Sequence, residues 1–165
     1  MLDFKKAKER IKMSIREFVL KHRIPSPLIL NKNDSIEHLI NSLLSSEIDY
    51  ALVSDDFGEI IGVVSLYDVL KLFIDYSMFS FFKRISKSER RNEKSPISTI
   101  IGPNAVKIED CWSLKQALEL MIYYKLPYII AIDKDLNRPS AIITKREILS
   151  GVLGIKFLIK LIPFA

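Results

Sequence analysis

Two stretches of this chain carry the same succession of residue types, and this internal repeat constrains the fold more than any other feature. Residues 27–73 align with residues 105–152, and Ser65 in the first copy corresponds to Thr144 in the second. The alignment needs a gap of one residue, which falls in a polar loop after Asp133, where an insertion does little harm. A repeat of this length predicts two copies of one supersecondary unit.

Each copy predicts the same order of elements. A short strand comes first, an amphipathic helix second, and two strands joined by a turn lead into a closing helix. One such β-α-β-β-α unit leaves an apolar sheet face uncovered. We therefore expect an α+β fold in which two repeats pack sheet to sheet with pseudo-twofold symmetry. The predicted strands are 27–30, 50–54, 59–65, 105–108, 128–133 and 141–144, and the predicted closing helices are 66–73 and 145–152.

Capping residues mark the start of the first helix in each copy. Ser113 followed by Gln116 predicts a capping box in the second copy, and Asp34 followed by Glu37 predicts one in the first copy.

The tandem repeat and the segments that close the two copies resemble paired CBS domains, also called a Bateman module. The segments are GVVSLYDVL at 62–70 and AIITKREIL at 141–149. The first fits the family pattern of Gly, two hydrophobic residues, Ser or Thr, and Asp three residues later. The second departs from it with Ala141 in place of Gly and Glu147 in place of Asp. The resemblance covers about residues 15–152.

The resemblance implies a stand-alone regulatory module and not an enzyme. Family members bind AMP, ADP, ATP, S-adenosylmethionine or related adenosyl ligands in clefts between the copies, and some bind none. The resemblance also implies a homodimer that needs no cofactor and acts on a separate protein, which the sequence does not identify.

Ser65 and Thr144 each stand where a strand ends and a closing helix begins. Each hydroxyl can cap its helix together with the acidic residue three positions on, Asp68 or Glu147. The same place suits a ligand. A helix start attracts phosphate, and a carboxylate can accept hydrogen bonds from two ribose hydroxyls. Both interpretations stay open, and they can hold in different ligation states.

The first turn of the closing helix differs between the copies. Lys145 and Arg146 follow Thr144, where cations oppose the helix dipole unless an anion binds. A solvated helix face is the alternative interpretation. Tyr67 lies on the matching turn of the first copy. We expect two unequal sites, with the better ribose carboxylate at Asp68 and the better phosphate contact at Lys145.

The resemblance places the adenine base near the first strand and the hairpin of each copy. Ordinary core or loop positions are the alternative for the residues concerned. These are Ile29, Tyr50 and Ala51 in the first copy and Asn104, Ala105 and Tyr128 in the second.

The sequence lacks the residue patterns of a metal site, a nucleophilic cysteine and a glycine-rich phosphate-binding loop. His22 and His38 have no partner at metal-ligand spacing, Cys111 has no neighbouring His, and the glycines form no phosphate-binding loop. We therefore predict no metal site, no catalytic residue and no enzymatic activity.

The longest stretch without a charged residue, 95–106, is shorter than the ~20 residues that span a bilayer. A single cysteine favours the reducing cytoplasm.

Basic charge gathers in two flanking segments. Residues 1–26 hold eight Lys or Arg and three acids, and residues 83–94 hold six and two. A solvated surface accounts for both segments. Two rival functions also stay open: a nucleic-acid binder that uses Arg84, Arg90 and Arg91, and a ligand-free oligomerisation scaffold.

These observations predict five segments along the chain. The apolar tail at 153–165 has three interpretations: packing on the leader helix, a dimer contact, or a membrane-surface helix. The segments are a basic amphipathic helix and lead-in at 1–26, the first CBS domain at 27–76, a basic connector at 77–95, the second CBS domain at 96–152, and an apolar tail at 153–165.

Overall fold

The computed structural model describes residues 3–46, 48–77, 94–102 and 105–154. In chain order its elements are α1 (Phe4–Arg10), α2 (Ile15–His22), β1 (Leu28–Asn31), α3 (Ile36–Ser46), β2 (Tyr50–Ser54), β3 (Ile60–Ser65), α4 (Leu66–Ser77), a 3-10 turn (Ile97–Thr99), β4 (Lys107–Glu109), α5 (Leu114–Tyr123), β5 (Tyr128–Asp133), β6 (Arg138–Thr144) and α6 (Lys145–Leu153).

The chain divides into two compact units. The first-copy unit is Pro27–Ala105, and the second-copy unit joins Met1–Ser26 to Val106–Ala165. The 3-10 turn therefore lies in the first-copy unit, and the leader helices α1 and α2 lie in the second-copy unit.

The first-copy unit contains a three-stranded sheet in the order β1-β2-β3. Strands β1 and β2 are parallel, and β2 and β3 form an antiparallel hairpin in which Tyr50 lies opposite Ser65. The hairpin turn is built on Asp55, whose carboxylate accepts from the N–H groups of Phe57 and Glu59, and Gly58 takes a φ of 85°. Apolar side chains from α3, α4 and the sheet form the core, including Leu39, Leu43, Val53, Val64 and Val69.

The second-copy unit repeats this arrangement in the order β4-β5-β6. Strands β4 and β5 are parallel, and in the antiparallel hairpin β5–β6 Tyr128 lies opposite Thr144. The leader helix α2 contributes Ile15 and Phe18 to the core, where both are almost fully buried. The α+β fold with two like sheets is therefore confirmed, and their face-to-face packing stays a prediction.

Each unit also takes in a segment that precedes the other copy in the chain. In the second-copy unit, Ser14 forms a β-bridge with Ser113. In the first-copy unit, Pro96 forms the equivalent bridge with Ser35, directly before the 3-10 turn. The residue after each bridge, Ile15 or Ile97, is fully buried. The compact units therefore extend beyond the sequence repeat at their edges.

The leader differs from the single amphipathic helix predicted within residues 1–26, because α1 ends at Arg10 and α2 begins at Ile15. The chain between them turns to meet the start of α5. The Leu114 N–H donates to the Met13 carbonyl (2.9 Å), and the Lys115 N–H donates to the Ile11 carbonyl (2.8 Å). Tertiary hydrogen bonds thus interrupt a segment whose apolar spacing favours one helix.

The predicted cap of α3 is also wrong by one residue. The Ser35 hydroxyl, and not Asp34, accepts from the N–H of His38 (3.1 Å), while the Asp34 carboxylate accepts from the N–H of Asn31 (2.9 Å). The capping box of Ser113 and Gln116 on α5 is confirmed.

Three of the hairpin strands and the starts of both closing helices agree with the sequence predictions to within one residue. Strand β6 begins at Arg138, three residues before the predicted start at 141, and α4 and α6 run on to Ser77 and Leu153. Asn104, the tail beyond Gly154, and the connector with Arg84, Arg90 and Arg91 lie outside the described residues.

Candidate functional site

The first candidate corner lies where β3 ends and α4 begins. Ser65 is the last residue of the strand and is buried, and Asp68 lies one turn into the helix. The Asp68 Oδ2 atom accepts from the Ser65 N–H (2.9 Å) and from the Ser65 hydroxyl (2.7 Å), and the Ser65 Oγ atom lies 3.3 Å from the Asp68 N–H. The capping interpretation is therefore present in this structure.

A lysine completes this corner. The Lys71 ammonium lies 2.9 Å from Asp68 Oδ1 and 4.5 Å from the centroid of the Tyr67 ring. Burial acts to raise the pKa of Asp68, but hydrogen bonds from Ser65 and Lys71 outweigh it, so the pKa lies below its ordinary value. The carboxylate is therefore ionised at neutral pH.

The second candidate corner has the same geometry at the junction of β6 and α6. The Glu147 Oε2 atom accepts from the Thr144 N–H (2.6 Å) and from the Thr144 hydroxyl (3.0 Å), and the Glu147 N–H lies 3.4 Å from Thr144 Oγ1. Lys145 and Arg146 are exposed on the first turn of α6. The extra methylene of Glu147 does not prevent it from capping the helix as Asp68 does.

Each corner can present two kinds of group to a ligand. The start of a helix carries a partial positive charge, which favours an anion such as a phosphate. A carboxylate beside it is an acceptor only, so it suits hydroxyl donors. An ester of phosphate with a sugar supplies both an anion and hydroxyl donors.

The predicted adenine-contact residues fall into two groups. Tyr50 and Tyr128 are the register partners of Ser65 and Thr144, so each tyrosine adjoins its corner. Ile29 is half-exposed on β1, one strand further away, where it pairs with Leu52.

The remaining adenine-contact residues are not register partners of Ser65 or Thr144. The Ala51 side chain is fully buried in the core of the first-copy unit. Ala105 is half-buried just before β4. The geometry therefore favours the two tyrosines over Ile29, Ala51 and Ala105 as neighbours of a ligand held at the corners.

Sequence reasoning missed Lys71. The signal was present, because an acid and a base three residues apart on a helix face each other. The helix of 66–73 was predicted, and reading its surface pairs would have linked Lys71 to Asp68.

Sequence reasoning also missed an ionic cluster in the second-copy unit. Arg16 lies 2.8 Å from Asp110 and from Asp135 and 3.6 Å from Asp133. The carboxylates face a guanidinium, and within the described residues no group of three or more His, Cys, Asp or Glu is arranged to hold a metal.

Cys111 has the properties of a thiol that stays protonated. It is exposed, and its Sγ lies 3.3 Å from a Glu109 carboxylate oxygen. That hydrogen bond is the largest cause of a raised pKa of the thiol, which disfavours the reactive thiolate.

Among the described residues, no helix has the length and apolar character needed to cross a membrane.

The comparisons with known proteins identify the fold. Residues 16–75 match the family model of the CBS domain. The CBS domain of a CBS domain containing membrane protein from Sphaerobacter thermophilus superposes with a TM-score of 0.68 at 17% identity, over 89% of this chain and 92% of that chain. No curated protein matches the sequence.

Two further similar structures contain ligands. A CBS domain protein from Pyrobaculum aerophilum complexed with AMP has a TM-score of 0.63 at 14% identity, over 82% of this chain and 89% of that chain. A CBS domain pair in complex with 5′-methylthioadenosine and S-adenosyl-L-methionine has a TM-score of 0.61 at 17% identity, over 83% and 93%. Residues 16–75 of this chain therefore carry a CBS domain, and the chain has the fold of a CBS domain pair.

Proposed function

We propose that this CBS domain pair is a regulatory module that binds an adenosyl ligand and acts on a separate protein. The candidate ligands are AMP, ADP, ATP and S-adenosylmethionine. The observation that carries the proposal is the same hydroxyl–carboxylate corner occurring twice, at Ser65–Asp68 and at Thr144–Glu147.

The chemistry of an adenosyl ligand suits these corners. Two vicinal ribose hydroxyls can donate to an ionised carboxylate in a charge-assisted arrangement. A phosphate gains from the positive end of the helix dipole. Asp68 supplies the shorter acidic side chain, and Lys145 supplies a cation for phosphate, so the two sites are unequal.

The similar structures support the ligand class. One contains AMP, and another contains 5′-methylthioadenosine and S-adenosyl-L-methionine, each on the same fold. All three ligands carry an adenosyl group, and they differ in the substituent at the 5′ position of the ribose. A site built around the sugar, as at Asp68, is compatible with all of them.

The module is non-catalytic in this proposal. Its Cys111 thiol is held in the protonated form, and its corner carboxylates hold helix caps. The protein needs no resident cofactor, and its effect on a partner comes from ligand binding. A cytoplasmic location is part of the proposal and rests on the one unpaired cysteine, which suits a reducing compartment.

A homodimer also belongs to the proposal. Tyr67, Leu70 and Phe73 lie three residues apart on α4, and each side chain is more than half exposed. An apolar stripe of this kind is typical of a surface that another protein covers. A second copy of the chain is the partner that the family resemblance favours.

Ligand binding is tested by thermal shift and by isothermal titration calorimetry with AMP, ADP, ATP and S-adenosylmethionine. A ligand at one hundred times its Kd stabilises a protein by ~2.7 kcal/mol. Asp68→Ala and Glu147→Ala should each reduce the ligand-induced shift measured against the same variant without ligand.

Gln116→Ala is the matched control for these variants. It breaks a capping box of the same kind on α5, a helix that contributes no residue to either corner. It should lower the melting temperature of the free protein and leave the ligand-induced shift intact. If none of the four ligands moves the melting temperature of the wild-type chain, the proposed function is wrong.

A further inference from the structure

We infer that Lys71 is a specificity-determining residue that competes with the ribose of the ligand for Asp68. The inference rests on the proposed function and adds a regulating contact to its first corner. It follows from the number of hydrogen bonds that the Asp68 carboxylate can accept and from the ion pair that Lys71 forms with it.

The hydrogen bonds of Asp68 leave too few acceptor positions for a ribose. A carboxylate offers about four lone-pair positions. The Ser65 N–H and hydroxyl use two positions on Oδ2, and the Lys71 ammonium uses one on Oδ1. One position is left, whereas two vicinal ribose hydroxyls need two. One of the present donors must therefore leave when a ribose binds through both hydroxyls.

Lys71 is the donor that leaves at least cost. Ser65 is 8% exposed, so its N–H and hydroxyl would lose their partner without gaining water. The Lys71 side chain is 52% exposed, and its ammonium can be hydrated once it separates from Asp68. Ribose binding therefore exchanges the ion pair for two hydroxyl hydrogen bonds.

The aromatic ring of Tyr67 gives the displaced ammonium a second position. Lys71 Nζ already lies 4.5 Å from the ring centroid, within the range of a cation–π contact. Rotation away from Asp68 can keep this contact. The lysine then remains beside the corner and returns to the carboxylate when the ligand dissociates.

The second corner has no lysine at the position that matches Lys71. The residue three positions after Glu147 is Ser150, whose hydroxyl donates to the main-chain carbonyl of Glu147 (3.0 Å) and carries no charge. Competition by this lysine is therefore proposed for the first corner, where the ion pair of Lys71 and Asp68 is present.

The test is calorimetric titration of the full chain with AMP and, in parallel, with S-adenosylmethionine. Glu147→Ala serves as the background so that the first corner dominates the signal. Lys71→Met, which keeps the apolar stem and removes the charge, should tighten binding of both ligands by up to about fivefold, the upper end of the range for one exposed ion pair. Lys115→Met is the matched control, because Lys115 forms an exposed ion pair with Glu119 on α5. It should leave both affinities unchanged.

A deoxy analogue separates competition from a general change of charge. 2′-Deoxy-AMP has one hydroxyl fewer and can use the remaining acceptor position of Asp68 while Lys71 stays bound. Lys71→Met should therefore improve the binding of AMP more than that of 2′-deoxy-AMP. Unchanged or weaker binding of AMP and S-adenosylmethionine to the variant, or equal gains for AMP and its deoxy analogue, overturns the inference. Failure of the wild-type chain to bind any of the four adenosyl ligands overturns the proposed function itself.

Discussion

The guanidinium of Arg16, on the leader helix α2, donates to both carboxylate oxygens of Asp110, the residue that follows β4. The distances are 2.8 Å from Nε to Oδ2 and 3.2 Å from Nη2 to Oδ1. Asp110 is 2% exposed, so its carboxylate is screened from water and is held by hydrogen bonds within the protein. The Arg16 N–H also donates to the Asp110 carbonyl at 2.8 Å. The leader is therefore part of the second-copy unit through specific polar contacts as well as through apolar packing.

Asp110→Ala is expected to destabilise the protein by about 2 kcal/mol, because it removes charge-assisted hydrogen bonds at a buried position. Asp135→Ala is the matched control, since Asp135 faces the same guanidinium with a side chain that is 70% exposed. Urea unfolding should show a clear loss for Asp110→Ala and little change for the control. Equal losses in the two variants would mean that burial of Asp110 does not decide its contribution.

Phe18→Ala is expected to lower the free energy of unfolding by roughly 3–5 kcal/mol, the range for removing a buried aromatic ring. Phe18 is 1% exposed and lies in the core of the second-copy unit. Leu20→Ala on the same helix is the control, because Leu20 is 72% exposed. If both variants unfold at the same urea concentration as the wild type, the leader is not part of this core.

Gly151→Ala is expected to destabilise the protein, although alanine in a helix is more stable than glycine by about 1 kcal/mol. A Cβ atom at this position of α6 would collide with the Phe18 ring and lie 3.1 Å from His22 Nε2. Overpacking of this kind costs about 1–3 kcal/mol. Ser150→Ala, on the same helix, should be close to neutral in thermal unfolding. A Gly151→Ala variant more stable than the wild type would show that α2 and α6 can separate without loss.

The predictable part of this fold comes from local signals that repeat. Ser65 and Thr144 could be placed at helix starts because a hydroxyl, an acid three residues later and a preceding Val/Ile run occur together in both copies. The starts of α4 and α6 follow from the same residues. Local chemistry was sufficient at these two helix starts, where the interacting residues lie three positions apart.

The remaining features depend on contacts between distant residues. Arg16 and Asp110 are separated by most of the chain, and neither carries a local signal of the other. The break between α1 and α2 follows from hydrogen bonds of residues 11 and 13 to the start of α5. The cap at Ser35 in place of Asp34 likewise depends on a segment from elsewhere, since the Ile97 N–H donates to the Asp34 carbonyl. Such partners require the three-dimensional structure.

The stability contributed by Asp68 is expected to depend on pH. Its pKa in the folded protein lies below the ordinary value, so the folded state favours the ionised carboxylate. The contribution is present above the pKa of the unfolded chain, ~3.9, and is lost as the pH falls through the lower pKa of the folded state. Asp68→Asn should therefore reduce the free energy of unfolding at pH 7, on the order of 1 kcal/mol, and the difference from the wild type should shrink below about pH 4. Urea unfolding of both proteins across this range measures it. A difference that is the same at pH 7 and pH 3 would contradict an ionised cap.

The apolar stripe on α4 leads to a prediction about assembly. Leu70 lies between Tyr67 and Phe73 on one face of the helix and is 57% exposed in the single chain. If a second copy covers this face, multi-angle light scattering should give a mass near twice the 19.0 kDa of the chain. Leu70→Glu would place an unpaired charge in the covered patch, and each 1.4 kcal/mol of cost weakens the dimer about tenfold.

Leu136→Glu is the matched control, because Leu136 is 58% exposed in the turn between β5 and β6. The variant at Leu70 should elute as a monomer with an unchanged circular dichroism spectrum, and the control should remain a dimer. A wild-type chain that is monomeric at high micromolar concentration, or a Leu70→Glu variant that stays dimeric, would show that another partner, or solvent, meets this face of α4.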